Sequence, residues 1–212
     1  MTVDVYSPAG ESRGVVALIH GGFWQAMYGR EGLGDCCRDL ASRGFVAGNV
    51  GYRRVGERGG GFPNTCTDVV DALNELQRYG ELRAIVGHSA GGQLALWAAK
   101  EVRASIVVSV AGVNALQRAI ELGYGDRAVN SFAGDRIDEA DPVSRVPVGV
   151  RTVLISPTAD FEPGRDLTRT YAAAARAAGD DVTIVEPVGD HFDVISTGSD
   201  VWAAVVDAIS AA

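Results

Sequence analysis

The run Ala84-Ile85-Val86 leads straight into Gly87-His88-Ser89-Ala90-Gly91-Gly92, and a helix-like stretch, Gln93–Lys100, follows without a linker. A strand can turn into a helix over so few residues only if the backbone doubles back sharply. Glycines on both sides of the serine give that turn room. The Ser89 hydroxyl is then pushed past the strand end, where the amides and positive dipole of the following helix point. The plain alternative is a serine that caps a helix after a glycine turn. Either way, the unit demands a buried strand followed by a crossover helix.

The rest of the chain repeats that order. Val3–Tyr6, Val15–His20, Phe45–Tyr52, Ala84–His88, Ser105–Val110, Thr152–Ser156 and Val182–Glu186 are short, mostly β-branched apolar runs. Such runs suit strands of a parallel sheet buried on both faces. Helical patterns lie between them. Thr65-x-x-Asp68 resembles a capping box before Val69, Leu73 and Leu76. Leu167–Ala178 stops at Gly179, and Ser199–Ala211 carries Val201, Val205 and Ile209 on one face. The expectation is one α/β domain over residues 1–212, with a mostly parallel sheet of about seven strands. The glycines of Gly56–Pro63 have no nucleotide-loop spacing and read as a plain loop. Asn114–Pro147 departs from the alternation, and a small lid over about 112–141 is expected there.

With 27 acidic against 19 basic residues the net charge is −8, which gives no attraction to nucleic acid or to an anionic membrane surface. No signal-peptide pattern or bilayer-length apolar run is visible. Cys36, Cys37 and Cys66 form neither a disulfide framework nor a zinc spacing, so reduced thiols in a cytoplasmic protein are expected.

His20-Gly21-Gly22-Phe23-Trp24 follows the second strand. Glycines there leave backbone amides free to hold the negative oxygen that develops when a carbonyl is attacked. The expected donors are the amides of Gly22 and Phe23, with Gly21 shaping their loop, and the amide of Ala90 after the serine. A nucleophilic serine needs a base. His20 belongs to the oxyanion loop, and His88 adjoins the serine inside the turn, facing the wrong way. That leaves His191, in Gly189-Asp190-His191-Phe192-Asp193. The base in turn needs a carboxylate to fix its tautomer. Asp160 is nearest the end of Thr152–Ser156, with Glu162 and Asp166 in the same expected loop as reserves. Asp190 and Asp193 lie too near His191 along the backbone.

With these residues in place, the chain resembles the α/β-hydrolase superfamily. It is most similar to its small HGG-type branch of kynurenine formamidase-like and carboxylesterase-like enzymes. His20–Trp24 resembles the HGGYW or HGGFW oxyanion motif, Gly87–Gly91 the GHSAG elbow, and Asp190–Ile195 the DHFD-aliphatic histidine motif. Ser156–Pro163 is similar to the acid turn HGTAD-x-x-VP, with Ser156-Pro157 in place of His-Gly; Gly51-Tyr52-Arg53-Arg54 extends the likeness. The resemblance implies hydrolysis of a carboxylic ester or small amide.

The mechanism expected is acyl transfer by a Ser89–Asp160–His191 triad, with no metal or organic cofactor. Trp24, Tyr28, Phe62 and Phe192, in or beside the motif loops, are expected as pocket walls. The partner is then a small-molecule ester or amide, and a homodimer is compatible with the sequence. Two other readings stand beside it: an arylformamidase acting on N-formylkynurenine, and a non-catalytic binding protein on the same fold.

Overall fold

In a computed structural model, which describes residues 2–212 apart from the side chain of Asp126, seven strands form one sheet in the order β1-β3-β2-β4-β5-β6-β7. They are β1 (Thr2–Tyr6), β2 (Val15–Ile19), β3 (Val46–Gly51), β4 (Leu82–His88), β5 (Ile106–Val110), β6 (Arg151–Ile155) and β7 (Val182–Val185). Every neighbouring pair is parallel except β1 with β3. β2, β3 and β5 are buried at every position, which is why their sequences run apolar rather than alternating. In β2, Val15, Ala17 and Ile19 join one core and Val16 and Leu18 another, because successive side chains point to opposite faces.

Helices α1 (Gly34–Ser42) and α8 (Asp200–Ser210) cover one face. The other is covered by α2 (Asn64–Leu76), α3 (Ala90–Ala98), α4 (Leu116–Glu121), α5 (Asp126–Ala133), α6 (Ile137–Ala140) and α7 (Glu162–Ala177). The architecture is the α/β-hydrolase fold. No helix among the described residues is long and apolar enough to cross a membrane.

Three local expectations need correction. The sequence pattern does not show α1: Gly32, Gly34 and the charged Asp35, Arg38 and Asp39 mask a helix that buries only Gly34, Cys36, Cys37 and Leu40. Thr65-x-x-Asp68 is not a capping box. The helix starts at Asn64, the Thr65 hydroxyl donates to the Arg53 carbonyl at 2.6 Å, and Asp68 takes both arms of the Arg53 guanidinium. α7 begins at Glu162 rather than Leu167, with Pro163 in its first turn where the missing N–H costs nothing. Beyond these, the segment 112–141, where a small lid is expected, packs side chains from its helices into the core. Leu116, Ala119, Val129, Phe132, Ala133 and Ala140 are all buried, and the Gln93 side chain donates to the Ala140 carbonyl at 2.8 Å.

Candidate active site

Parallel strands end at one edge of the sheet, and that edge collects the loops after β4, β6 and β7. The last two loops continue as a pair beyond the strands: Thr158 N–H donates to the Pro187 carbonyl and Ala159 N–H to the Gly189 carbonyl, each at 2.9 Å. Asp160 and His191 come next in each loop, and His191 Nδ1 donates to Asp160 Oδ1 at 2.8 Å. The Phe161 amide donates to the same oxygen at 2.8 Å. Asp160 also precedes the N-terminus of α7, whose dipole favours a negative charge there. The two reserve carboxylates are occupied elsewhere: Glu162 pairs with Arg169, and Asp166 with Arg118 at 2.9 Å.

Ser89 sits between β4 and α3 with φ 54° and ψ −118°. A non-glycine residue at positive φ costs on the order of 1–3 kcal/mol and persists only where its surroundings enforce it. Here Ser89 N–H donates to the Val110 carbonyl at 2.9 Å, and its own carbonyl accepts from Gly92 and Val113. The flanking glycines are needed for space. A Cβ on Gly91 would lie 2.2 Å from the Ile19 carbonyl oxygen, and one on Gly87 would lie 1.9 Å from that of Gly91.

Next to this elbow runs the loop after β2. A Cβ on Gly21 would come within 2.9 Å of the Ser89 Cβ, so the two turns touch. Gly22 has φ +100°, and a side chain there would strike the Tyr28 ring. Phe23 and Trp24 also adopt positive φ, 48° and 58°. Packing offsets that strain. Trp24 is fully buried, stacks on Phe132 at 4.4 Å and donates from Nε1 to Gln93 Oε1 at 3.0 Å; Phe23 packs against Tyr124 at 5.8 Å. Among the described residues, the amides of Gly22, Phe23 and Ala90 find no acceptor within the protein.

Ser89, His191, Gly21, Gly22 and Phe23 line one cavity of about 560 Å³. Ser89 is 3% exposed, His191 7% and Asp160 8%. The Ser89 hydroxyl and the His191 imidazole share this cavity without a hydrogen bond between them; such contacts often tighten only when substrate binds. Of the four aromatics expected as walls, Tyr28 and Phe192 line the cavity and Trp24 and Phe62 do not. Trp24 is the inward anchor just described, and Phe62 packs edge-on against Trp97 and Phe132. Leu33, Tyr124, Phe161 and Ile195 complete the apolar wall. Phe161 and Ile195 adjoin residues already singled out, whereas nothing local in the sequence marks Leu33 or Tyr124.

The remaining histidines are neutral for a common reason. Burial pushes His20 down to about 4; its ring stacks on Tyr52 at 4.3 Å, and its Nδ1 donates to the Gly21 carbonyl at 2.8 Å. Burial and then the neighbouring His191 push His88 down to about 4 as well. His88 does not face away from the site: it lines the cavity, and its Nε2 donates to the His191 carbonyl at 2.8 Å. In the unfolded chain both rings take a proton near 6.5. The stability gained by keeping them neutral is therefore complete above about pH 6.5 and is lost as pH falls toward 4, on the order of 3 kcal/mol per ring. Urea midpoints are expected to drop through that window and the slope to flatten in His20→Gln; a profile level from pH 7 to 4 would contradict it.

The structure is similar to several solved esterases. Esterase B from Lactobacillus rhamnosis superposes with a TM-score of 0.82 at 21% identity, covering 99% of this chain and 80% of that one. A thermophilic esterase from the planctomycete Thermogutta terrifontis, solved with propionate bound, gives 0.78 at 19% identity over 99% and 87%. Carboxyl esterase 2 from the fungus Tuber melanosporum gives 0.78 at 18% over 98% and 78%. No curated protein sequence matches. The BD-FAE family model matches residues 3–111, a span that runs from β1 past β5 and includes both the glycine loop after β2 and the serine elbow. The chain therefore belongs to the BD-FAE family, within the α/β-hydrolase superfamily.

Proposed function

We propose that this protein is a serine hydrolase that cleaves an uncharged carboxylic ester through an acyl-enzyme. The observation that carries the reading is the buried His191–Asp160 pair, whose imidazole lines the same cavity as a conformationally strained Ser89. His191 Nδ1 is committed to Asp160, which leaves Nε2 as the lone-pair nitrogen that takes the Ser89 proton during attack on the ester carbonyl. The amides of Gly22, Phe23 and Ala90 receive the developing oxyanion. The imidazolium next protonates the leaving alcohol. In the second half His191 activates water, and Ser89 is released with the acid. The esterase names of the similar structures, and the propionate and phosphonate ligands in some of them, support the same chemistry.

The alternative, hydrolysis of N-formylkynurenine, is favoured by the loop Asp190–Asp193. There Asp190 accepts from the Phe192 amide and Asp193 accepts from the Asp190 amide, each at 2.8 Å. Against it stands the cavity lining, which contains no lysine or arginine to receive an amino-acid carboxylate; burying that charge unpaired is costly.

A panel of p-nitrophenyl esters of graded acyl length, run beside N-formylkynurenine, separates the two. Turnover of the neutral esters with little or none of the formamide is expected. Preferred hydrolysis of N-formylkynurenine would replace this reading with the alternative. Well-folded protein that leaves Ser89 unlabelled by a fluorophosphonate probe would favour a binding protein over an enzyme.

A further inference from the structure

The base loop is fastened to the protein by side chains that the hydrolytic steps do not use. His88 Nε2 donates to the His191 carbonyl at 2.8 Å, the Cys36 thiol donates to the Val194 carbonyl at 3.4 Å, and the Ser199 hydroxyl donates to the Asp193 carbonyl at 2.5 Å. Of the three, only His88 acts on His191 itself, and only His88 is the immediate chain neighbour of Ser89. The two imidazole rings lie 5.0 Å apart. Because a carbonyl can only accept, the His88 proton must sit on Nε2; the ring's neutral state at physiological pH leaves that tautomer undisturbed.

We propose that His88 is a positioning residue for His191: through one hydrogen bond it fixes the backbone that carries the base relative to the backbone that carries the nucleophile. The inference rests on the hydrolase reading above. No hydrogen bond joins Ser89 and His191 directly, so their separation is set by the elements that hold each. On one side the elbow clamps Ser89 from Val110, Gly92 and Val113. On the other, Asp160 controls the rotation of the His191 ring but not where its backbone lies. The link from His88 spans 103 positions in sequence and connects the two without an intermediate residue. A displacement of the imidazole by about 1 Å is enough to cost on the order of 10²-fold in rate.

The test compares His88→Gln with His88→Met. Glutamine carries an amide N–H as many bonds from the backbone as histidine Nε2, whereas methionine fills the space and donates nothing. Two readouts are taken: kcat and KM on the best ester of the panel, and the downfield proton resonance of the His191–Asp160 hydrogen bond, which needs no turnover. His88→Met is expected to lower kcat about tenfold or more with KM within about twofold, and to broaden or shift the resonance. His88→Gln is expected to recover most of both. A folded His88→Met protein with wild-type kcat and an unchanged resonance overturns the proposal, as does a folded His88→Gln protein no better than methionine. If His88→Met does not fold, His88→Gln decides alone: a retained resonance supports the tether and a lost one removes it. If the wild-type protein turns over no ester, the hydrolase reading fails, and the resonance comparison still reports on the tether.

Discussion

Replacing Ser89 by alanine is expected to lower kcat/KM for the preferred ester by at least about 10³, toward the 10⁶ seen when a nucleophile acting as part of a unit is removed. What remains is expected to come from the proposed oxyanion amides and from substrate binding, neither of which needs the hydroxyl. The fold is expected to survive, because Ser89 is held by its backbone: its amide donates to Val110 and its carbonyl accepts from Gly92 and Val113. A companion variant separates chemistry from conformation. Glycine tolerates φ 54° with ψ −118° far better than alanine does, so Ser89→Gly is expected to be more stable than Ser89→Ala by about 1 kcal/mol while equally inactive. The measurements are steady-state kinetics, fluorophosphonate labelling and urea unfolding of all three proteins. Ester turnover in Ser89→Ala within tenfold of wild type would rule out Ser89 as the nucleophile.

The features legible in the sequence were those whose cause is local. Gly87, Gly91 and Gly22 are glycines because a Cβ would collide with main chain or a neighbouring ring a few ångströms away, and that constraint leaves its mark at the positions themselves. The central strands read correctly for a similar reason, since burial on both faces forces continuous apolar runs. Asp160 and His191 were reached differently, by strand order and by elimination among three histidines. The structure then brings them together through the paired loops after β6 and β7.

The features missed depend on direction or on distant partners. Trp24 and Tyr28 occupy the same loop, yet one is buried against Phe132 and the other lines the cavity. The choice is made by three successive positive-φ residues, which no side-chain pattern encodes. His88 looked redundant because its acceptor is the backbone of a residue 103 positions away. α1 was hidden by a mostly polar composition around four buried residues. Segment 112–141 hid its packing because its helices are short and its glycines scattered. Its packing is set by Trp24, Gln93 and Phe62, all from elsewhere in the chain.

The proposed acid, Asp160, offers a sharper test, because Asp160→Asn is expected to do less harm here than removal of the side chain. In the proposed mechanism the carboxylate performs two tasks: it holds the His191 proton on Nδ1, and it balances the charge of the imidazolium that forms during attack. Both hydrogen bonds, from His191 Nδ1 and from the Phe161 amide, fall on one oxygen, Oδ1. Asparagine can turn its carbonyl oxygen to that position, accept both donors and leave its amide group where Oδ2 stood. The tautomer is then kept and only the charge is lost. A unit charge about 4 Å from the imidazolium is worth about 4 kcal/mol at an effective dielectric near 20, equivalent to about 10³ in rate. Asp160→Ala loses the tautomer lock as well and is expected to fall by about 10⁴ or more. The comparison is made with kcat for one ester, together with the nitrogen chemical shifts of His191, which report where the ring proton sits. An asparagine variant as damaged as the alanine one, with its proton moved to Nε2, would mean that the amide presents its NH2 to the ring. The single-oxygen arrangement at Asp160 would then not control the orientation of that side chain.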